Sequence, residues 1–160
     1  MFMKKLCPTQ VEYMKLFIDS SLIIEYCRGN LKARDLMDFI EQNKGKFEVY
    51  INPSVWADVI YVVNKKYNVD LKTIGYYLFL NFKILDITQK LVFSSFSFIQ
   101  KYKLDPSEAM VLGCCREYGI KHLLSLNNDF IKPAEGEKIT HINALGKLKL
   151  LSEDSDKKIS

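Results

Sequence analysis

The chain has 160 residues, 48% of them hydrophobic and 26% charged, which fits one soluble globular domain with a sizeable core rather than two domains. Its longest apolar runs, such as residues 59–63, are far shorter than the ~20 residues that span a bilayer, which argues against a transmembrane helix. A formal net charge of +4 permits a nucleic-acid partner without requiring one.

The amino-terminal residues and the cysteines together predict a cytoplasmic protein with reduced thiols. Residues 1–10 contain two lysines but no apolar signal-peptide core. Cys7, Cys27, Cys114 and Cys115 show no paired CxxC spacing. Adjacent positions on a helix point away from each other, so Cys114 and Cys115 are poor ligands for one zinc ion.

Strands and helices alternate along the first third of the chain. The apolar run MKLFI at residues 14–18 is typical of a buried strand, and Ser20 or Ser21 can cap the helix that follows it. Apolar residues on one face predict a second helix over 31–42. The β-branched and aromatic residues of 47–51 predict a second strand.

The same alternation continues through the rest of the chain. The further predicted elements are helices over 53–67 and 70–81, a strand over 83–87, helices from Thr88 to about Tyr102 and from Asp105–Pro106 to about Gly119, and strands over 122–126 and 138–142. Strands that alternate with helices form a parallel sheet covered on both faces. We therefore predict an α/β fold, in which residues 1–150 form a single three-layer α/β/α domain with a central, mostly parallel, Rossmann-like sheet. Residues 151–160 are predicted to be a loose tail.

Polar side chains directly follow two of the predicted strands. Asp19 comes after the strand over 14–18, and Asn127 and Asp129 come after the strand over 122–126. Because ligands of an open parallel sheet gather at the carboxyl ends of its strands, these residues are candidates for one site. Asp19 could instead cap the following helix, and Asp129 could be an ordinary turn residue.

Asp58 is the one charged residue of an otherwise apolar helical segment, VWADVIYVV. An isolated carboxylate is expensive to bury unless it is paired, protonated or bound to a metal ion. The alternative is that Asp58 lies on a narrow exposed stripe or pairs with a basic side chain.

Glu108 follows Asp105 by three residues at the start of a predicted helix. This spacing is that of a capping box, which alone would explain both residues. The two roles are compatible, since a helix that begins at the sheet edge can also present Glu108 to a cleft.

Together these acids predict a metal-dependent phosphodiesterase site. Mg²⁺ and Mn²⁺ prefer oxygen ligands, and a bound ion lowers the pKa of water and polarises a phosphoryl group. The chain contains no GxSxG, HExxH, P-loop or GxGxxG motif that would indicate another catalytic machinery.

The order of these motifs resembles the PIN domain family, and within it the VapC-like ribonuclease toxins. FIDSSLIIEYCRGN is similar to the family's opening strand and helix, with Asp19 at the first acid. NPSVWADVIYVV is similar to the second motif, with Asp58 at its acid. LDPSEAMVLGCCREYGIKHLLSLNNDF is similar to the third and fourth motifs combined, with Glu108 at the third acid. The resemblance covers roughly residues 15–143.

The chain departs from the family pattern at three of these positions. The family usually has Glu where this chain has Asp58, and Asp where it has Glu108, so each carboxylate keeps its charge but moves by about one methylene. The fourth acid of the family commonly lies in a Thr-x-Asp-x-Asp-Phe stretch. Here Ser125 matches the Thr, Asn127 replaces the first Asp, and Asp129 matches the second. One fewer negative charge should weaken metal binding.

The resemblance implies a Mg²⁺- or Mn²⁺-dependent endoribonuclease of this fold, weakened by these departures. The implied site consists of catalytic, metal-ligating carboxylates and neutral oxygens beside them. The carboxylates are Asp19, Asp58, Glu108 and Asp129, and the neutral residues are Ser20, Ser125 and Asn127. Family members often form homodimers, and the toxins bind a small antitoxin. RNA, an antitoxin protein and a second copy of the chain are therefore the expected partners.

One other function class remains open, and a second shares only one feature with this chain. A degenerate PIN-like domain could bind RNA or protein as a scaffold; Asn127 favours this alternative, whereas the retained acids argue against it. A phosphotransfer protein, either a haloacid-dehalogenase-like phosphatase or a receiver domain, also places an Asp after its first strand. The phosphatase needs a second Asp two residues later, where this chain has Ser21, and the further acids of a receiver cannot be placed.

Overall fold

A computed structural model describes residues 13–67 and 69–159, which contain a five-stranded sheet. The strands are β1 (Met14–Ile18), β2 (Phe47–Ile51), β3 (Lys83–Ile84), β4 (His122–Leu124) and β5 (Thr140–Ile142). All pairings between them are parallel, and their order across the sheet is β3-β2-β1-β4-β5. The predicted three-layer α/β/α fold with a parallel sheet is confirmed.

Eight α-helices accompany the strands in this described part of the chain. They are α1 (Ser20–Cys27), α2 (Leu31–Gln42), α3 (Pro53–Tyr67), α4 (Leu71–Asn81), α5 (Gln89–Tyr102), α6 (Pro106–Glu117), α7 (Ile131–Gly136) and α8 (Leu145–Ile159). A short 3-10 turn, Asn128–Phe130, precedes α7. The predicted helix starts at Thr88 and Asp105 are confirmed, because each side chain accepts a hydrogen bond from a backbone N–H of the first turn. Among residues 13–67 and 69–159, no helix has the length and apolar character needed to cross a membrane.

The core of the domain lies around β1, the middle strand of the sheet. Leu16, Phe17 and Ile18 have no exposed surface. β1 pairs with β2 on one side and with β4 on the other, and the direction in which strands are added reverses at β1. Such a switch point is where open parallel sheets bind ligands. Asp19 is the residue with which the chain leaves β1 at this point.

Three strands are shorter than the sequence predicts. The predicted strands over 83–87, 122–126 and 138–142 are reduced to the two residues of β3 and the three residues each of β4 and β5. β3 pairs only with the last two residues of β2, after which the chain turns away from the sheet. The carbonyl oxygen of Asp86 there accepts a hydrogen bond from the hydroxyl of Tyr118 at 3.0 Å.

Residues 151–159 differ from the loose tail that the sequence predicts for 151–160. α8 runs through residues 151–159. Leu148 and Ser152 are buried and Leu151 is half-buried, and this spacing places the three side chains on one helical face. That face packs against α2 and β5. The polar composition of this segment predicted a loose tail, whereas the segment forms an amphipathic helix that packs on the domain.

We expect the substitution Phe130→Ala to destabilise the fold strongly. The Phe130 side chain is fully buried, so its removal leaves a cavity and should lower the free energy of unfolding by about 3–5 kcal/mol. Phe93→Ala is the matched control, because the Phe93 side chain is 76% exposed and its removal should change stability by less than about 0.5 kcal/mol. Urea unfolding followed by circular dichroism measures both. Similar losses in the two variants would contradict the burial of Phe130.

Candidate active site

Asp19 lies between β1 and α1, at the carboxyl end of the central strand. Its backbone N–H continues the β1–β4 ladder by donating to the carbonyl oxygen of Leu124 at 3.0 Å. Its side chain is only 6% exposed. The Oδ2 atom accepts hydrogen bonds from the backbone N–H of Ser21 at 3.2 Å, from Ser21 Oγ at 2.6 Å and from Ser125 Oγ at 2.9 Å. Asp19 is therefore the N-cap of α1 and also belongs to a buried polar network.

The electrostatic environment of Asp19 is unusual for a buried acid. Burial raises the pKa of the Asp19 carboxyl, and hydrogen bonds from Ser21 and Ser125 only partly oppose this rise. No lysine or arginine within the described ranges is ion-paired with Asp19. A carboxylate held by neutral donors alone can still interact favourably with an added cation.

Two serines from distant parts of the chain meet beside Asp19. Ser21 Oγ and Ser125 Oγ are 3.1 Å apart, and the Ser125 side chain is fully buried. Ser21 Oγ also accepts a hydrogen bond from the backbone N–H of Leu126 at 3.2 Å. Ser20, which the resemblance implied as the nearby hydroxyl, begins α1, and its side chain makes no hydrogen bond with any described residue. The sequence signal for Ser21 was its position two residues after the cap, where its backbone N–H and hydroxyl both reach Asp19.

Asn127 connects this network to Glu108. Its backbone N–H donates to Ser125 Oγ at 3.0 Å, and its side-chain Nδ2 donates to Glu108 Oε1 at 2.6 Å. Its Oδ1 accepts a hydrogen bond from the backbone N–H of Asp129 at 3.0 Å. Both ends of the Asn127 amide are therefore engaged, and the side chain has a fixed orientation between two acids.

Glu108 forms the predicted capping box and also faces the site. Its Oε2 accepts from the backbone N–H of Asp105 at 3.0 Å, while the Asp105 carboxylate accepts from the backbone N–H of Glu108 at 2.8 Å. The other oxygen, Oε1, accepts from Asn127. Burial raises the pKa of the Glu108 carboxyl, and the negative charges of Asp105 and Asp129 raise it further. The capping box predicted for Glu108 is thus confirmed, and its second oxygen contacts Asn127.

Asp58 lies on α3 and is held by a serine of α6. Ser107 Oγ donates to Asp58 Oδ2 at 2.8 Å, and Ser54 Oγ lies 2.7 Å from Ser107 Oγ. The Asp58 side chain is half-buried, and its partner is a hydroxyl rather than a basic side chain. Ser107 directly precedes Glu108, so the polar contact places Asp58 beside the start of α6. No local pattern could identify Ser107, because its partner lies 49 residues away in the chain.

Asp129 is the most exposed of the four predicted acids. It lies in the 3-10 turn, where its backbone N–H is held by Asn127, and its carboxylate extends toward solvent. It is near enough to Glu108 for its charge to raise the pKa of that carboxyl. Asp129 is thus both the turn residue of the alternative interpretation and a neighbour of the site.

The structure links the predicted residues as a chain of contacts rather than as one cluster. Asp19 reaches Glu108 through Ser125 and Asn127, whereas Asp58 joins only through Ser107. In residues 13–67 and 69–159, no three His, Cys, Asp or Glu side chains lie close enough together to hold one metal ion. Asp19, Asp58 and Glu108 each accept a hydrogen bond from a hydroxyl or an amide at this edge of the sheet.

A known protein family matches most of the chain. The model of the PIN domain matches residues 16–136, a range that contains all four predicted acids. Ribonuclease VapC2 from Methanocaldococcus jannaschii is 29% identical over 136 residues, an alignment that covers 76% of this chain and 90% of the relative.

Solved structures share the fold at lower identity. A toxin-antitoxin complex from Klebsiella pneumoniae aligns with a TM-score of 0.59 and 22% identity, covering 72% of this chain and 90% of that one. VapC20 from Mycobacterium tuberculosis, described as a toxin that cleaves the sarcin-ricin loop, aligns with a TM-score of 0.62 and 13% identity. That alignment covers 74% of this chain and 94% of VapC20.

The contact between Asn127 and Glu108 predicts the effect of Asn127→Asp. The substitution brings a second carboxylate to the position from which Nδ2 now donates to Glu108 at 2.6 Å, and the two charges repel. We expect the free energy of unfolding in EDTA to fall by about 1–3 kcal/mol. We also expect Mn²⁺ to raise the melting temperature of this variant more than that of the wild type.

The matched control is Asn128→Asp, which adds the same charge at a side chain that makes no hydrogen bond with the described residues. Thermal unfolding with and without Mn²⁺ measures both variants. Equal melting temperatures for Asn127→Asp and wild type in EDTA would refute the proposed repulsion.

Proposed function

Because the chain belongs to the PIN domain family, we propose that it is a metal-dependent endoribonuclease that hydrolyses RNA phosphodiester bonds, with Mg²⁺ or Mn²⁺ as its cofactor. The observation that carries this proposal is the buried Asp19 carboxylate at the switch point of the sheet, connected through Ser125 and Asn127 to Glu108. The similarity to a relative named as a ribonuclease supports the same chemistry.

The available donors fit a small, hard dication. Carboxylate, hydroxyl and amide oxygens are the ligands that Mg²⁺ and Mn²⁺ take in proteins. Asp19 offers a buried carboxylate with a raised pKa and no cationic partner in the described ranges, and a bound cation would offset the cost of its ionisation. Glu108, Asp58 and Asp129 are the further acids that would hold the ion. Their side chains would have to move toward Asp19 to do so, because no three acidic side chains of the described residues lie close enough together here to share one ion. When bound, it would supply an activated water and neutralise charge on the phosphodiester.

The neutral residues orient the acids in this proposal. Ser21 and Ser125 hold Oδ2 of Asp19, and Ser107 holds Oδ2 of Asp58. Each hydroxyl acts as a donor, so it fixes one carboxylate oxygen without adding charge to the site.

The departures at Asp58 and Glu108 are opposite in direction. Asp58 is one methylene shorter than the Glu that the family usually has, and Glu108 is one methylene longer than its usual Asp. Asp58 contacts Ser107, the residue before Glu108 in α6, whereas the Glu108 side chain itself contacts Asn127. The summed length of the two side chains is therefore the same as in the family pattern. The third departure, Asn127 in place of Asp, fits the longer side chain of Glu108. Glu108 reaches position 127, where an amide can donate a hydrogen bond to it and an ionised carboxylate could not.

We extend the proposal to protein partners of the same chain, namely an antitoxin and a second copy of the chain. The similarity to a solved toxin-antitoxin complex favours the first. Exposed apolar side chains of α3 and α4, among them Trp56, Tyr76 and Phe79, line a groove of about 520 Å³ and favour a protein contact on that face.

Cleavage of a mixed pool of structured and single-stranded RNA tests the proposed activity. We expect cutting with Mg²⁺ or Mn²⁺, none with EDTA, and a loss of at least about 100-fold in Asp19→Asn, because the variant lacks the central carboxylate. The matched control is Asp38→Asn, an exposed acid of α2, which should cut like the wild type.

The stability of Asp19→Asn separates loss of chemistry from loss of fold. Burial makes the pKa of the Asp19 carboxyl higher in the folded chain than in the unfolded chain. The ionised side chain therefore makes the protein less stable as the pH rises between those two pKa values. At neutral pH, therefore, removal of the Asp19 charge should leave the melting temperature in EDTA equal or higher. Absence of cutting by the wild type, together with absence of Mn²⁺ binding in calorimetry, would overturn the enzyme and leave the scaffold.

The reciprocal exchange at Asp58 and Glu108 is tested by a double-mutant cycle. Asp58→Glu and Glu108→Asp should each weaken Mn²⁺ binding and cleavage by about tenfold or more, because a misplaced carboxylate is costly. The double variant restores the usual family pair and should lose much less than the product of the two single effects. Calorimetry and cleavage rates measure the cycle. Strictly multiplicative losses would show that the two positions are independent.

A further inference from the structure

A polar pocket opens directly beside the Asp19 network. Its volume is about 450 Å³, within the range of pockets that bind small ligands. Ser21 and Asn127 belong both to its lining and to the network that holds Asp19 and Glu108. A group bound in this pocket would therefore lie next to the position where a phosphodiester would be cleaved.

Two side chains of the pocket lining, Asn30 and Glu25, already have hydrogen-bond partners within the protein. Asn30 caps α2 by accepting from the backbone N–H of Ala33 at 3.2 Å, and its Nδ2 donates to Glu25 Oε2 at 3.2 Å. Glu25 is ion-paired with Arg28 at 2.7 Å. These side chains are held in place by one another, so their remaining capacity for a ligand is small.

Other residues of the lining carry polar groups with free hydrogen-bonding capacity. The side-chain amides of Asn128 and Asn143 make no hydrogen bond with any residue in the described ranges. The exposed ammonium group of Lys32, also in the lining, has no ion pair there. Two free amides and one free cation thus face a cavity that adjoins the acids.

We propose that this pocket binds one nucleobase of the RNA strand, next to the phosphodiester that is cleaved, and that Asn128 and Asn143 read its edge. This inference rests on the proposed ribonuclease function. Lys32 contacts a phosphate of the same strand. The pocket is a specificity subsite, and it takes an unpaired base of single-stranded RNA.

The chemistry of an amide matches that of a base edge. Each Asn side chain offers a donor and an acceptor side by side, and base edges present the same pair of groups. Unpaired RNA exposes these edges, whereas a double helix hides them. The described residues that line the pocket include no aromatic ring, so recognition here is by hydrogen bonds rather than by stacking.

A peptide is a poorer match for this pocket. Its lining contains one large apolar side chain, Leu126, which gives little surface for an apolar anchor. A basic anchor would need a free acid, and Glu25 is already engaged by Arg28 and Asn30. The free groups are neutral amides and a cation, which suit a nucleotide.

The test is the base preference of cleavage, read by sequencing the ends produced from a randomised single-stranded RNA. We expect wild type to prefer certain bases at one position beside the cut, and Asn128→Ala and Asn143→Ala to reduce that preference by about fivefold or more. Asn64→Ala, an exposed asparagine of α3 outside this lining, should leave the preference unchanged.

A binding measurement gives a second readout that does not need turnover. The Asp19→Asn variant and the double variant Asp19→Asn/Asn143→Ala are compared by fluorescence anisotropy with labelled RNA of the preferred sequence. The double variant should bind this RNA more weakly. Lys32→Ala should weaken binding to all sequences alike and reduce its dependence on salt.

The outcomes separate the subsite from the enzyme. If wild type cuts RNA but both asparagine variants keep the wild-type preference and affinity, the subsite is overturned, the ribonuclease stands, and a peptide partner becomes the better occupant. If wild type neither cuts nor binds RNA, the ribonuclease is overturned together with the subsite.

Discussion

The hydrogen bonds that bring Ser125 and Ser21 onto one oxygen of Asp19 are the interaction on which the candidate site depends. They require β4 to lie beside β1 in a fixed register, with Leu124 opposite Ile18 and its carbonyl oxygen bonded to the N–H of Asp19. A shift of one residue would turn every β4 side chain to the other face of the sheet. The arrangement of polar side chains at this edge is therefore a consequence of how the central strands pair.

The network extends from Asp19 by neutral donors at every step. Hydroxyls hold the Asp19 carboxylate, an amide holds that of Glu108, and a hydroxyl holds that of Asp58. Neutral donors satisfy buried oxygens without cancelling their charge, whereas a lysine or arginine would cancel it. In this network, therefore, no basic side chain of the described residues competes with a cation for the carboxylates.

Much of the fold and part of the site could be predicted from the sequence. The strand over 14–18 and the capped helices are local patterns, and parallel alternation places Asp19 and Asn127 at one edge. The capping box at Asp105 was also a local signal. What the sequence could not provide are contacts between distant segments, such as Ser107 with Asp58 and Asn127 with Glu108, because they depend on how helices and loops pack. The helical end of the chain was missed for the same reason, since its burial depends on α2.

Glu108 serves two demands with its two oxygens: one closes the capping box of α6, and the other meets Asn127 at the site. The capping box alone therefore gives a reason to retain this side chain, whether or not it takes part in the proposed chemistry. A descendant that had lost its enzymatic role would still benefit from a side chain at 108 that can cap the helix, and Gln would meet that need as well as Glu. The presence of an acid there is thus weak evidence of activity in related chains. Asp19 caps α1 in the same way, so Asp58, which lies inside α3 and caps no helix, is the more informative marker of the proposed chemistry.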